Sequence, residues 1–434
     1  MKNTIKKLIS FILVLATFTS IAIPFATVGT SAAGAQTSTS ASISKISVDT
    51  SNSFYTVKSS ASLRSSTSII YFKLATLNKG AILKVSGTSG DFYKVKLNMN
   101  NKSDTYYVKK SELKAASKTS NATFCYAIKS APIRKAPCDD GSKITTVSKG
   151  TLLKTIGKLS NNHGNIWHII LTDSGEIGYV YDGNVKSASK ITMTVSGTAS
   201  MKTGINESFK CSVSPSGITG IKWSSSNTNL ATVSSSGSVT PKAGGDVKIT
   251  ASIPGVISAS INTNIALNVA PYFQTKNYSC SAASTKAVLT YFGKAGKLSD
   301  MDLYPSIDGY VYKIRDSLNK YLGANTYCWK TFNSIDAYEK AIRGSLAQNS
   351  PVIVRISFDR EFFPYSSSGH YSTIVSVYEK NGQTFVKLVD SFVNRYSSNA
   401  YANCTTGEVE VPLSTLYYYN SYCGRSDRYV IYNP

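Results

Sequence analysis

At 434 residues, with 42% hydrophobic and 16% charged side chains, the chain is long enough for several packed domains and too apolar for a disordered polyelectrolyte. The formal charge of +23 is uneven: residues 36–268 hold 27 basic and 11 acidic side chains, whereas residues 269–434 hold 17 and 13. A basic middle segment suits polyanions such as wall polymers or lipid headgroups; no nucleic-acid recognition motif accompanies the charge, so nucleic acid is not expected as a partner.

The N-terminus has the layout of a secretory signal peptide over residues 1–35: basic Lys2, Lys6 and Lys7, an apolar run from Leu8 to Ile23, and Ala33-Gly34-Ala35 as an A-x-A cleavage site before Gln36. No later segment is long and apolar enough to span a bilayer, so after cleavage the protein is expected to be extracellular with no integral membrane segment. Export permits disulfides. The seven cysteines are 125, 138, 211, 280, 328, 404 and 423, an odd number that leaves at least one thiol free or shared between molecules. Cys125–Cys138 and Cys404–Cys423 are candidate local pairs, and Cys280 is expected to stay reduced.

Residues 36–52 are rich in Ser, Thr and Ala and read as a flexible linker. An internal repeat follows. Leu63-Arg64 matches Ile133-Arg134, and Lys79–Lys84 (KGAILK) matches Lys149–Lys154 (KGTLLK); Phe92–Val95 (FYKV) matches Ile166–Ile169 (IWHI), and Tyr107-Val108 matches Tyr179-Val180. Short alternating runs separated by Gly, Ser and Asn turns predict a small β-barrel for each copy. These motifs resemble bacterial SH3-like domains, over 53–114 and 122–186. The resemblance implies cell-wall or peptide binding through a basic surface; spacers without a ligand are the alternative. Residues 189–268 change character, with Trp223-Ser-Ser-Ser-Asn, Ala231-Thr-Val233 and Gly237-Ser-Val239 spaced as in bacterial Ig-like domains. That resemblance implies a β-sandwich with Trp223 in its core and a spacing or adhesive role.

From 269 to 434 helical and strand patterns mix. Cys280, Ala283, Ala287, Val288 and Tyr291 fall on one helical face, with Ser279 in the N-cap position, predicting a helix over 280–292. Further helices are expected near 310–321 and 334–348. Pro351–Phe358 reads as a buried strand, and Gly369-His370 opens an apolar strand that turns at Asn381-Gly382 and returns to Asp390. The Tyr-rich tail, including Tyr417-Tyr418-Tyr419, reads as strand and core material.

A thiol at a helix N-terminus is biased toward thiolate, the nucleophilic form. His163 and His168 lie in the second repeat and read as surface residues, so a Cys280 nucleophile that needs an imidazole from its own domain must use His370. Asp390 is the candidate carboxylate, and its placement depends on hairpin parity. An unbroken ladder from a two-residue Asn381-Gly382 loop puts Asp390 opposite Thr373, on the face away from His370. A three-residue loop or a bulge puts it opposite Ser372, on the same face as His370. The catalytic reading therefore predicts an odd loop or a bulge. Gln274, six residues before Cys280, can aim its amide at an oxyanion.

This set is similar to the papain-like cysteine peptidases, in the branch of bacteriocin leader-processing (double-glycine) peptidases. The resemblance implies Cys280 as nucleophile, His370 as general acid and base, Asp390 as orienting carboxylate and Gln274 as oxyanion residue. Ser281 stands where that family usually has Gly, and Ala282 where it often has Pro. With a signal peptide and no transporter, a leader peptide is not the expected substrate. Scattered histidines and the lack of a phosphate-binding glycine motif predict no metal and no cofactor. The expected architecture is multidomain: two small SH3-like β-barrels, one Ig-like β-sandwich and a C-terminal α+β papain-like domain. The expected function is an exported, cell-wall-associated cysteine peptidase acting on a peptide or protein substrate in a Gram-positive-type envelope. The alternatives are a non-catalytic wall-binding or adhesion protein with a degenerate peptidase fold, and a hydrolase of peptidoglycan stem peptides.

Overall fold

The computed structural model describes residues 36–434 except 45, 50–53, 69–72, 100–101, 116–118, 162, 173–175, 357–368, 393–406 and 421–427. The expected signal peptide and the Cys404–Cys423 pair lie outside the described residues.

The repeat is a structural repeat. In the first copy Phe54–Val57 pairs with Ile82–Lys84, setting Tyr55 opposite Leu83; in the second, Thr119–Ala127 pairs with Leu152–Asn161, setting Cys125 opposite Leu153. Each copy has a bulge at the equivalent arginine, Arg64 or Arg134, and that arginine faces Tyr107 or Tyr179. The copies are not independent barrels. Leu159–Asn161 of the second pairs with Ala75–Leu77 of the first, and Trp167, Ile169 and Tyr179 join Leu63, Leu77 and Val108 in one shared core. This overturns the surface reading of His168. Its strand, Ile166–Leu171, is covered on both faces: Trp167 and Ile169 point into the shared core, Ile170 into the second copy's own core, and His168 is fully buried. The pairing also places His168 opposite Val180, as Tyr93 lies opposite Val108, one residue off the match read from sequence. Cys125 is a buried free thiol inside that inner core, so the candidate bridge to Cys138 is not formed.

The segment read as a flexible linker is largely strand. Gln36–Ile43 lies antiparallel on Ile191–Thr198 through eight paired residues, and Ile46–Asp49 pairs with the start of Thr119–Ala127. Polar composition misleads here because an edge strand is held by main-chain hydrogen bonds, and only alternate residues, Ala41 and Ile43, need to reach the core. The segment 191–266 is a β-sandwich packed around Met193, Val195, Ile249 and Ile261. Trp223 is half-buried at the margin of this core rather than at its centre.

The C-terminal part is a six-stranded sheet in the order Cys328–Thr331, Tyr429–Tyr432, Val352–Ile356, His370–Lys380, Gln383–Val389, Glu408–Pro412. Helices α1 (Cys280–Tyr291), α2 (Asp300–Ile307) and α3 (Val311–Leu322) share a core with Ile353, Tyr371 and Ile431. Helices α4 (Ile335–Ala347) and α5 (Leu413–Tyr419) share a second core with Val352, Val354 and Ile374. The expected helices are present. Helix α2 was not expected from the sequence, although Ser299 and Asp302 form a capping box at its start. Tyr417–Tyr419 sit in α5 rather than in a strand, with Tyr418 exposed. Among the described residues no helix is long and apolar enough to cross a membrane.

Candidate active site

Cys280 is the first residue of α1, as the pattern predicts, but the helix is not amphipathic: residues 280 to 289 are all buried. Ser279 does not cap it with its side chain. Its hydroxyl instead donates to Asp300 Oδ2 at 2.5 Å and accepts Lys276 N at 3.1 Å. Asp300 is completely buried at the start of α2 and also accepts Thr275 N at 2.7 Å and Thr275 Oγ1 at 2.6 Å. Burial pushes its carboxyl up, but the hydrogen bonds from Ser279, Thr275 and Met301 hold it below the ordinary carboxylate range. This carboxylate fastens the 275–279 loop that leads into the thiol.

The parity question has a definite answer. Asn381 and Gly382 form a two-residue turn with φ of 53° and 76°, as a type I′ hairpin requires, and Lys380 pairs with Gln383. The ladder then skips Val375: Ser376 pairs with Lys387, but Ile374 pairs with Leu388 and Thr373 with Val389. This bulge brings Asp390 across from Ser372, on the face that carries His370. Ser372 Oγ donates to Asp390 Oδ2 at 2.6 Å, and His370 Nε2 lies 3.0 Å from both carboxylate oxygens. Phe392 N donates to Asp390 Oδ1 at 2.8 Å, and the Phe392 ring packs edge-on against the imidazole at 5.7 Å. With Nε2 committed to Asp390, Nδ1 is the nitrogen left for the thiol. Helix α1 is tied to the same strand by Ser284 Oγ, which donates to Tyr371 O at 3.0 Å.

Burial pushes the Cys280 thiol up, but its hydrogen bond with His370, the imidazolium charge and a bond with the Tyr371 backbone outweigh it and bring the thiol below its ordinary value of 9.0. Burial lowers His370, but the charge and hydrogen bond of Asp390, with those of Cys280, lift it to about 10. Burial raises Asp390, and the His370 charge and the bonds from His370, Ser372 and Phe392 bring it down. All three shifts run toward the charged forms: the imidazolium favours ionisation of both the thiol and the carboxyl, and thiolate and carboxylate each favour the imidazolium.

Gln274 is buried beside Ser391, the residue that follows Asp390. Its N–H donates to Ser391 O at 2.9 Å, Ser391 Oγ donates to its Oε1 at 3.0 Å, and its Nε2 donates to Lys276 O at 2.7 Å. The Lys276 carbonyl can only accept, so the amide orientation is fixed, and one Nε2 hydrogen is left over. Ser281, fully buried beside the thiol, has a hydroxyl with no hydrogen-bond partner among the described residues. At the surface next to Cys280, Tyr278 is 56% exposed and its ring packs on Tyr304 of α2 at 4.9 Å. Sequence reasoning missed Asp300 and Ser391, and it placed Ser372 opposite Asp390 without giving its hydroxyl a role. Only Ser372 carried a signal, because it alternates with His370 on one strand face. A cavity of about 620 Å³, lined by Thr203, Tyr291, Phe292 and Asn349, lies at the far end of α1 and not at the thiol.

Residues 266–422 match the family described as Peptidase_C39 like, and residues 189–253 match the bacterial Ig-like domain (group 2). No curated protein matches the chain. Similar solved structures include NlpC2 from Trichomonas vaginalis, at 12% identity over 32% of this chain and 48% of that one, with a TM-score of 0.17. An intimin mutant from EHEC O157:H7 is similar at 21% identity over 32% and 71%, with a TM-score of 0.16. Ly7917 with the hydrolyzing product of MDP is similar at 17% over 29% and 66%, with a TM-score of 0.14. The chain spans about half the length of NlpC2.

Proposed function

Starting from its Peptidase_C39-like C-terminal domain, we propose that this protein is an exported, cell-wall-associated cysteine peptidase. Cys280 is the nucleophile, His370 the general acid and base, Asp390 the carboxylate that orients the imidazole, and Gln274 the oxyanion residue. The observation that carries this reading is the bulge at Val375: it turns Asp390 onto the face of His370, where the carboxylate meets Nε2 and leaves Nδ1 for the thiol. A structural hairpin has no need of that irregularity, and bulges recur where a side chain has to be re-aimed.

In the proposed reaction the Cys280 thiolate attacks the carbonyl carbon of a peptide bond. The developing oxyanion is met by the spare Gln274 Nε2 hydrogen and by the Cys280 N–H at the start of α1. His370 gives its Nδ1 proton to the leaving amine, and the thioester then forms. Water, deprotonated by His370, hydrolyses the thioester and frees the thiolate. Tyr278 and Tyr304 form the wall of the substrate cleft next to the sulfur. The two repeats, read as SH3-like modules with a basic surface, hold the enzyme on the anionic polymer of the wall.

Purified protein incubated with casein and, separately, with purified cell walls tests the reading. Cleavage of either that is lost in Cys280→Ala is the expected result. Cleavage that persists in Cys280→Ala rejects the assignment, and release of stem peptides from walls with casein intact assigns the wall as substrate.

A further inference from the structure

The bulge that sets the parity of the catalytic hairpin is held in part from outside the peptidase domain. The skipped residue, Val375, has no ladder partner, and its carbonyl accepts Leu267 N at 2.8 Å. The next two residues are held by Asn264, which lies in strand Ile257–Ala266 of the Ig-like sandwich. Asn264 Nδ2 donates to Val377 O at 3.0 Å and to Asp246 Oδ1 at 2.8 Å, and Asn264 Oδ1 accepts the hydroxyl of Ser376. The amide is buried and all its donors and acceptors are engaged, so its orientation is fixed. From the other side, Arg343 of α4 donates to Asp246 Oδ2 at 2.9 Å and to Val377 O at 3.1 Å, and it also pairs with Glu339 and Glu379.

Three successive residues, 375, 376 and 377, are therefore pinned by the Ig-like sandwich and the segment leaving it. The unbulged alternative uses the same Asn381-Gly382 turn and merely continues its ladder. It would set Asp390 opposite Thr373, with its carboxylate facing away from His370. We infer that the Ig-like domain is a clamp on the catalytic hairpin, with Asn264 as a positioning residue that acts through the Val375 bulge to hold Asp390 against His370. The inference rests on the peptidase reading given above. It replaces the role of a spacer: the sandwich is part of what makes the thiol reactive.

The test uses the full-length protein and iodoacetamide, with alkylation of the Cys280 peptide followed by mass spectrometry across pH. Unaltered protein is expected to show an inflection below the ordinary thiol value. Asn264→Leu is expected to move the inflection upward and to slow alkylation at neutral pH about tenfold, one unit of thiol pKa. Asp390→Asn should produce a shift at least as large, and Asn264→Leu added to Asp390→Asn should add nothing. A general loss of packing would instead add to it, which is what makes the cycle diagnostic. Asp246→Asn, at a half-exposed carboxylate whose hydrogen bonds go to Asn264 and Arg343 rather than to the hairpin, should give a smaller shift in the same direction and covers the case in which Asn264→Leu does not fold. A lowered inflection left in place by both Asn264→Leu and Asp246→Asn would overturn the clamp alone, as would losses that add in the double variant. An ordinary inflection in the unaltered protein would overturn the peptidase reading and the clamp with it.

Discussion

Two histidines in this molecule are buried against an aspartate with a cysteine within electrostatic reach, and they are polarised in opposite directions. His168 Nε2 lies 2.8 Å from Asp182, and His370 Nε2 lies 3.0 Å from Asp390. Yet burial lowers His168 despite its carboxylate, and Cys125 nearby is pushed up to about 12. His370 is raised to about 10 and Cys280 is lowered. The difference lies in the carboxylates. The Asp182 side chain is 42% exposed and shares its charge with Lys158 at 3.0 Å, so solvent and a competing cation dilute its field. Asp390 is fully buried, is organised by the Ser372 hydroxyl and the Phe392 N–H, and meets the imidazole with both oxygens. A His–Asp contact does not by itself make a base. An enclosed carboxylate does, because a charge in low dielectric acts several-fold more strongly than one at the surface.

The contrast is broken most severely at the sulfur. Cys280→Ala is expected to reduce cleavage of casein or walls to background, whereas Cys125→Ala should leave it unchanged and affect only stability. Both variants differ from the parent by one buried sulfur, so equal losses in the two would mean that the effect is packing rather than chemistry.

The carboxylates come next. Asp390→Asn is expected to lower kcat/KM by about 10²–10⁴-fold, the range associated with losing well-placed acid–base catalysis. The pH profile should change with it. In the parent, activity rises as Cys280 ionises below 9.0 and falls as His370 deprotonates near 10. In Asp390→Asn the two limbs should approach each other, and in Asp182→Asn they should not move. Stability follows the same linkage. The raised pKa of His370 stabilises the fold fully below its ordinary value of 6.5, and this contribution is lost as pH rises toward about 10. Thermal melts should therefore decline from neutral to alkaline pH more steeply in the parent than in Asp390→Asn.

A smaller effect is expected at the amide. Gln274→Ala should cost about 10²–10³-fold in kcat with KM little changed, the signature of a donor used in the transition state. Ser391→Ala, which removes one of the two hydrogen bonds that hold the amide, should give part of that loss.

How far the sequence discloses all this differs between the two regions, for physical reasons. At Cys280 the decisive features are local: a helix start, a Gly-His strand opening, an Asn-Gly turn. Together they define a parity that only a bulge or an odd loop could rescue, and a bulge is what Val375 supplies. At His168 the decisive feature is non-local. Nothing in Ile166–Leu171 signals that a second copy of the repeat packs across its outer face, so a buried histidine reads as a surface one. The same holds for Gln36–Ile43, whose strand state is set by an open edge about 150 residues away. Asp300 was invisible because it opens α2, which sequence periodicity did not resolve from the adjacent loops, and because its partners, Thr275 and Ser279, lie on the other side of α1 in the sequence. Residue types that carry chemistry were legible, and the neighbours that bury or expose them were not.

The mildest test lies next to the nucleophile. Ser281 departs from the glycine common in related peptidases, and its buried hydroxyl has no partner among the described residues. Such a group contributes a desolvation cost with no bond to offset it, and serine is a weaker helix former than alanine. Ser281→Ala should therefore stabilise the fold by on the order of 1 kcal/mol, seen as a rise of a few degrees in Tm, with kcat/KM within about twofold of the parent and the pH profile unmoved. A rise in stability with activity intact would show that the polarity of Cys280 depends on Asp390 and not on its immediate neighbour in sequence. A tenfold loss of kcat/KM instead would mean that the hydroxyl acquires its partner only when substrate is bound, and would make residue 281 part of the oxyanion or leaving-group contacts rather than of the helix.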